Sequence, residues 1–474
     1  MRFTQLPCLN LCAVPDSLRE EEPMTDSDEG GAVSPLVGWL LVGVLLVAYA
    51  LSFVDRQILS LLVGDIRKSF TVGDAQIGLL LGPAFGVFYA VLGMPLGWLA
   101  DHVARLRLIA GGLLLWTLAT MAGGFTDSFA GLAIARMGVG VGEAALVPAA
   151  VSLLADAFPP HRRALPLAVF TAGISVGAGA ALMLGGSLIA FAGGGAAELP
   201  LIGASLGARA PWQVVLILAG LAGVPLAVLI AVLPEPPRSR PSVSAGRADG
   251  LIRYLRDHHV LFGGMLGGAA LLYVFANALA AWLPSVFVRG FGWSAPQVGV
   301  RIGGIILACS LAGTVASGLA ATALRARGRG EASFGVMTMG ALLLAPAALI
   351  APLAGGPGVA QIGVAATYFA LSLCFGVATA SFVAVTPARL RGRMIALYLL
   401  IGNLFGLGLG PPVVGLLLEE VVGDPGKVGA ALAILTLPTT LIGALLLRAV
   451  LHRHRRRSVE LSGLEILDGS AIRR

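Results

Sequence analysis

The sequence GWLADHVARLR, Gly97–Arg107, joins two stretches of the chain that are almost free of charge. Each stretch supplies about 20 apolar residues, the length that a helix needs to cross the hydrocarbon core of a bilayer. The run between them carries an aspartate, a histidine and two arginines, so it is predicted to be a loop at one membrane surface. The same alternation continues along the chain and predicts an all-α membrane protein.

The composition of the 474 residues agrees with this prediction. Hydrophobic residues make up 57% and charged residues 12%, whereas soluble domains carry about 25% charged residues. The net charge of +7 comes from basic residues in short loops, where they act as topology signals, so it does not indicate nucleic-acid binding. The sequence contains no catalytic motif, nucleotide-binding loop or CxxC pair, so it predicts neither an enzyme nor a metal or cofactor site.

Twelve transmembrane helices in two bundles of six are predicted from the apolar stretches. The spans of the first half are 38–63, 75–99, 107–125, 129–153, 164–190 and 212–233. The spans of the second half are 261–287, 298–323, 333–353, 360–385, 393–418 and 428–450. The predicted division is a disordered acidic tail at 1–35, an N-terminal bundle at 36–233, a cytoplasmic central loop at 234–260, a C-terminal bundle at 261–450 and a basic cytoplasmic tail at 451–474.

Arginines are concentrated in the even-numbered loops, which places these loops and both termini in the cytoplasm. The two halves also resemble each other, because a shift of 229 positions superimposes four glycines of the fifth span on glycines of the eleventh. The matched pairs are Gly173 with Gly402, Gly177 with Gly406, Gly179 with Gly408 and Gly186 with Gly415. Parallel repeats of this kind place a binding site between the halves, near the midplane of the bilayer.

The loop at residues 97–107 resembles the signature that the major facilitator superfamily carries between its second and third helices. The fourth span, with Arg136 followed by Gly140-Val-Gly142, resembles a second signature of that superfamily. The resemblance implies that Gly97, Asp101, Arg105 and Arg107 form a cytoplasmic gate. Asp101 would then pack near Arg393 at the start of the eleventh helix and interact with Arg105. The second-half copy of the loop has Thr322 where the aspartate would be.

Two further motifs resemble the spinster-like branch of this superfamily. They are Val54-Asp55-Arg56 late in the first span and Gly140-Val-Gly142-Glu143-Ala144 in the fourth. The resemblance implies a secondary transporter that works by alternating access on an amphipathic, lipid-like or hydrophobic small molecule. Uptake of a small organic anion is the close alternative, and a receptor or scaffold that does not transport is a third.

Three ionisable residues, Asp55, Arg136 and Glu143, lie inside predicted spans, where each costs roughly 2.5–3.5 kcal/mol on insertion scales. The helical rise places Asp55 about 7 Å and Arg136 about 9 Å to the external side of the midplane, and Glu143 close to it. We therefore expect Asp55 to pair with Arg136 and Glu143 to carry the coupling proton. A static cluster of ion pairs that joins two helices is the alternative.

The substrate contacts are predicted to come from both halves. Arg56 points about 100° away from Asp55 on a helix and is expected, with Arg136, to meet a phosphate or carboxylate head group. The spans of the second half contain no acidic residue in their interiors, and their candidate contacts are Tyr273, Asn277 and Asn403. Ordinary hydrogen bonding between helices is the alternative for these three. The expected partners are a small-molecule substrate, protons and the lipid bilayer, for a monomer in a bacterial inner membrane.

Overall fold

The computed structural model describes residues 34–159, 162–194, 209–238, 249–329, 331–387 and 390–471, and all regular structure in these ranges is helical. The helices of the first half are α1 (Pro35–Phe70), α2 (Asp74–Leu81), α3 (Pro83–His102), α4 (Arg105–Phe125), α5 (Phe129–Glu143), α6 (Leu146–Ala157), α7 (Ala164–Gly194) and α8 (Pro211–Val232). The predicted central loop contains α9 (Asp249–Asp257). The second half consists of α10 (His259–Ser285), α11 (Ala295–Ala326), α12 (Ala332–Ile350), α13 (Pro357–Phe375), α14 (Ala378–Ala384), α15 (Arg391–Leu416) and α16 (Val428–Ala471). Two π-helical turns, Val286–Gly290 and Leu417–Val422, continue α10 and α15.

Eleven helical segments within the described ranges are long and apolar enough to cross a membrane. Several predicted spans consist of two helices in succession, because Gly or Pro interrupts the backbone ladder. The second span breaks between α2 and α3, where Pro83 lacks an N–H and begins a new helix. The predicted fifth span corresponds to α7, whose described apolar part is Gly177–Gly193. The all-helical membrane architecture is confirmed, and the count of twelve spans stays a prediction.

The helices before residue 233 pack mainly on one another, and so do those after residue 259. The two halves meet along three seams, in which α7 packs on α11, α15 packs on α2 and α3, and α1 packs on α10. We call these halves the N-terminal and C-terminal bundles. The charged and aromatic residues of the candidate site lie mainly on α1, α3, α5, α10 and α15.

Close glycine contacts between the bundles extend from one end of the seams towards their middle. Cβ atoms built on Gly186 and Gly299 would lie 2.9 Å and 2.6 Å from the Cα atom of the other glycine, so α7 and α11 touch backbone to backbone. In the same way α2 lies on α15, where Gly78 meets the Pro411 carbonyl. By contrast, a Cβ on Gly93 of α3 would meet nothing within 4 Å. The bundles are therefore sealed at the ends that the basic loops predict to be external.

The glycines matched between the halves make equivalent contacts. Gly173 of α7 lies against Tyr49 of α1, and Gly402 of α15 lies against Tyr273 of α10. In each bundle a glycine thus leaves room for a tyrosine ring of the facing helix. The repeat predicted from the sequence therefore corresponds to a repeated packing arrangement at Gly173 and Gly402.

Candidate transport site

Arg56 and Glu143 form an ion pair in the N-terminal bundle. Nη2 and Nε of Arg56 donate to the same carboxylate oxygen, Glu143 Oε2, at 2.5 Å and 2.9 Å. The Glu143 side chain is 1% exposed and that of Arg56 is 17% exposed, so only the arginine reaches accessible space. The second oxygen of Glu143, Oε1, is buried and has no hydrogen-bond partner within the described residues.

Close backbone packing holds Glu143 at the end of α5. A Cβ on Gly140 would lie 2.5 Å from the Phe85 carbonyl oxygen, and one on Gly142 would lie 2.5 Å from the Gly112 carbonyl oxygen. Only glycine allows α5 to approach α3 and α4 this closely. The Gly140-Val-Gly142-Glu143 motif therefore presses α5 between two neighbours and fixes the position of the carboxylate.

An aromatic cluster surrounds the guanidinium of Arg56. The Cζ atom of Arg56 lies 4.7 Å from the ring centre of Phe85, 4.9 Å from that of Tyr89 and 5.3 Å from that of Phe53. Arg136 Cζ lies 4.9 Å from the Phe85 ring as well. Such cation–π contacts are worth about 2 kcal/mol or more where water is excluded, so the rings help to keep two arginines inside the bundle.

The expected pairing of Asp55 with Arg136 is wrong in this conformation. Arg136 Nη1 donates to the backbone carbonyl of Asp55 at 3.3 Å, and no ion pair joins their side chains. The two helices bring both side chains to the same small cavity, but the carboxylate and the guanidinium stay too far apart there to form an ion pair. Arg56, which the sequence assigned to a substrate head group, is instead the arginine paired with an acid.

The candidate contacts of the C-terminal bundle form a second aromatic cluster. The Tyr273 hydroxyl donates to the Tyr398 hydroxyl at 3.2 Å, and the ring of Tyr273 lies 4.7 Å from that of Phe375. The amide of Asn277 donates to the Tyr273 carbonyl at 2.9 Å. The amide of Asn403 donates to the carbonyl of Leu399 in its own helix at 2.9 Å. Tyr273 is therefore the best placed of the three to reach the other bundle.

The four residues of the predicted gate have different environments. Arg105 is 1% exposed, and it pairs with Asp156 at the end of α6 and with Glu235 after α8. In this conformation Arg105 is paired with two other acids, and its interaction with Asp101, expected in the outward-open state, stays a prediction. Asp101 and Arg107 are exposed, and the carboxylate of Asp101 forms no ion pair with any described residue. Gly97 lies near Pro148 of its own bundle.

Polar contacts that the sequence did not predict join the two bundles at the sealed end. Asp74, at the start of α2, lies 2.9 Å from Arg289 of the C-terminal bundle and 3.4 Å from Arg67. Oε2 of Glu419 accepts a hydrogen bond from the backbone N–H of Ala75 at 2.9 Å, so an acid of one bundle caps a helix of the other. We call Asp74, Arg289 and Glu419 the external latch. Charged residues are common at the ends of spans, so nothing in the sequence distinguishes these three residues as contacts between the bundles.

The fold and the buried charges define a membrane transporter. A profile of the Major Facilitator Superfamily matches residues 45–384, and an MFS-type efflux pump of Mycolicibacterium smegmatis is 30% identical over 440 residues, which cover 92% of this chain and 97% of that protein. The chain belongs to the Major Facilitator Superfamily, and it is a transporter rather than an enzyme.

The resemblance to spinster proteins is also confirmed. Human protein spinster homolog 1 is 29% identical over 282 residues, which cover 56% of this chain and only half of that relative. A crystal structure of a bacterial homolog to the human lysosomal transporter spinster, in an inward-facing and unoccupied conformation, has the same fold. It gives a TM-score of 0.72 at 24% identity and covers 88% of this chain and 96% of that one.

Proposed function

We propose that this chain is a proton-coupled secondary transporter, working as a monomer in a bacterial inner membrane. It moves an amphipathic, lipid-like or hydrophobic small molecule by alternating access. The buried ion pair of Arg56 and Glu143 is the observation that carries this proposal. A carboxylate that is 1% exposed, with one oxygen unpartnered, is costly to keep inside a membrane protein unless it changes partner or protonation state during the cycle.

The packing of the bundles supports alternating access. The glycine contacts and the external latch seal one end of the seams. At the other end a Cβ on Gly93 would meet nothing within 4 Å, and the Asp101 carboxylate forms no ion pair with a described residue. On the orientation predicted from the basic loops, this is an inward-open arrangement. The similar bacterial spinster homolog was solved in an inward-facing conformation, which agrees with this interpretation.

Coupling follows from competition for Arg56. When a proton binds the Glu143 carboxylate, the side chain loses its negative charge. The guanidinium of Arg56 is then no longer held by the ion pair and is released. Arg56 is the more exposed partner, so it can then pair with an anionic head group such as a phosphate. Loss of the proton restores the ion pair and displaces the head group. One proton and one substrate molecule thereby control the same arginine.

The contrast between the bundles supports an amphipathic substrate. The N-terminal bundle supplies both arginines and Glu143, whereas the C-terminal bundle supplies Tyr273 and its aromatic neighbours. Tyr273 lies near Tyr89 and Tyr49 of the other bundle, so the two clusters face each other. A charged head would lie at Arg56, with the hydrophobic part along the aromatic rings of the other bundle.

Uptake of a small carboxylate is the second candidate. The observation in its favour is that Arg56 and Arg136 both contact the ring of Phe85, so two guanidinium groups lie near one position. A pair of arginines can hold a carboxylate through several hydrogen bonds. A substrate of this kind would not need the aromatic cluster around Tyr273.

Proteoliposomes with an imposed pH gradient provide the test. Wild-type protein is assayed with a labelled lysophospholipid and, separately, with a labelled monocarboxylate. We expect lysophospholipid transport driven by the gradient, loss of that drive in Glu143→Gln, and retention of exchange at equal pH. Glu420→Gln is the matched control, because Glu420 is an exposed glutamate. Gradient-driven transport at the wild-type rate in Glu143→Gln would refute the role of Glu143.

A further inference from the structure

A small cavity lies inside the N-terminal bundle, between α1, α4, α5 and α8. It has room for about one or two water molecules. The residues that the argument uses are Asp55, Thr120, Gly123, Leu132, Arg136 and Leu216. Neither Arg56 nor Glu143 lines this cavity, so it is separate from the ion pair described above.

Three buried polar atoms at this cavity have no hydrogen-bond partner within the described residues. They are Asp55 Oδ1, Thr120 Oγ1 and Arg136 Nε. Asp55 is 3% exposed, Thr120 is 6% exposed and Arg136 is 4% exposed, so bulk water does not reach them. Buried polar groups are nearly always hydrogen-bonded to protein or to ordered water. Water molecules in the cavity would satisfy all three groups.

Thr120 differs from the other buried threonine of its helix. The hydroxyl of Thr117, one turn earlier in α4, donates to the carbonyls of Leu113 and Leu114, as threonines inside membrane helices commonly do. The Thr120 hydroxyl makes no such bond to its own helix and lies next to the Asp55 carboxylate, to which it can donate a hydrogen bond. It is therefore placed to orient the Asp55 carboxylate together with a water molecule bound to that carboxylate.

We propose that this cavity is a water site through which the Asp55 carboxyl exchanges its proton, with Thr120 as the residue that positions the water. The proposal rests on the proposed function, since it adds a second protonatable carboxyl, separate from Glu143, to the same bundle. A hydronium ion that enters the cavity transfers its proton to Asp55 Oδ1 and remains as water. The charged groups that act on Asp55 are Glu143, Arg136 and Arg56.

The position of the cavity in the bundle shows which side of the membrane its apolar wall faces. Leu59, Leu132 and Leu216 form an apolar wall towards the end of α1 and the starts of α5 and α8. On the predicted orientation this wall faces the external side. Each of these leucines is 3% exposed or less, so the wall is closed in this conformation. The water site is therefore shut off from the outside while the bundles are sealed there.

Infrared titration of the purified full-length protein tests the proposal without any substrate. The carboxyl band of Asp55 is identified by its loss in Asp55→Asn and is followed between about pH 5 and pH 9 in ordinary and heavy water. We expect Thr120→Val to shift the midpoint of this band by about one unit or more, because one hydrogen bond to a charged group is lost. Thr120→Ser should restore the wild-type midpoint, and Thr117→Val should leave it unchanged.

A second variant covers the case in which Thr120→Val does not fold. In Gly123→Ala the added Cβ lies 3.2 Å from Leu132 Cδ1, at the end of a flexible side chain, and occupies part of the cavity. Gly111→Ala is its control, since a Cβ there meets nothing within 4 Å. An Asp55 midpoint that is unchanged in both Thr120→Val and Gly123→Ala overturns the water site. If that happens while the wild type still shows transport driven by a pH gradient, the proposed function survives; absence of that transport refutes the function itself.

Discussion

Asp74 Oδ1 of the N-terminal bundle lies 2.9 Å from Nη1 of Arg289 of the C-terminal bundle, and the Asp74 side chain is 2% exposed. This ion pair, with the Glu419 carboxylate on the N–H of Ala75, crosses the seam between the bundles at its sealed end. Each partner comes from a different bundle, so the contact exists only while this end is closed. The latch therefore stabilises one of the two conformations that alternating access requires.

Removal of the charge on Asp74 should open the sealed end. Asp74→Asn leaves the half-buried Arg289 without its acid, and loss of one partner of a buried pair costs up to about 3–5 kcal/mol. Spin labels at Asp127 and Asp424, on exposed loops of the two bundles, report the separation after the native cysteines are replaced. We expect a population with longer distances. Arg209→Ala is the control, because Arg209 stacks on Phe125 within one bundle. Identical distance distributions for Asp74→Asn and wild type would contradict the latch.

The glycine contact between α7 and α11 should be equally sensitive to a single methyl group. In Gly299→Ala the Cβ would lie 2.6 Å from the Gly186 Cα, and a backbone cannot move aside as a side chain can. We expect the same longer distances and slower transport. Gly304→Ala, on the same helix with nothing within 4 Å of its Cβ, should behave as wild type. A Gly299→Ala protein with unaltered distances and rate would show that the seam adapts.

The ion pair of Arg56 and Glu143 should show strong coupling in a double-mutant cycle. Arg56→Ala leaves a buried carboxylate unpaired and is expected to lower stability by about 3–5 kcal/mol. The double variant Arg56→Ala/Glu143→Gln should lose at least about 1 kcal/mol less than the sum of the single variants. Thermal unfolding in detergent gives these values. The exposed pair Lys427–Asp424 serves as the control, with an expected coupling of about 0–1 kcal/mol, and additive losses at Arg56 and Glu143 would argue against the pair.

Substitutions of Arg105 and Asp101 should have different effects, because Arg105 stabilises the fold and Asp101 stabilises one conformation. Arg105→Ala leaves Asp156 and Glu235 without their shared partner and should lower stability by about 3–5 kcal/mol. Asp101 is exposed, so Asp101→Asn should change stability by only about 0.5 kcal/mol while weakening closure of the cytoplasmic side. The measurements are thermal unfolding and the rate of cysteine labelling from the cytoplasmic side. Equal losses of stability in the two variants would contradict this assignment.

The sequence predicts the helices because the thickness of the bilayer sets their length, and it predicts the depth of a buried charge from the helical rise. Asp55 and Arg136 do lie on adjacent helices, as expected. The direction of each side chain depends on how far each helix is rotated about its axis, and tertiary packing decides this. For this reason the acid expected to carry the coupling proton, Glu143, is paired with Arg56, while Asp55 accepts a hydrogen bond from Arg136 at its backbone carbonyl.

Other contacts have no local signal at all. Asp74, Arg289 and Glu419 lie near the ends of spans, where charged residues are ordinary, and they meet only because two bundles pack in one of several arrangements. Thr120 resembles any threonine in a membrane helix until its hydroxyl is found without the usual bond to its own helix. Residues whose function depends on the relation between two helices become visible only in three dimensions.

The cap that Glu419 places on α2 ties the conformational cycle to hydration. When the bundles separate at this end, the N–H of Ala75 loses its only described acceptor and the buried Asp74 carboxylate loses Arg289, so water has to bind both groups. The outward transition therefore hydrates this end of the protein. Osmolytes that are excluded from the protein surface should then lower the transport rate at constant substrate concentration and constant pH. The activity of water on the external side therefore affects the transport cycle.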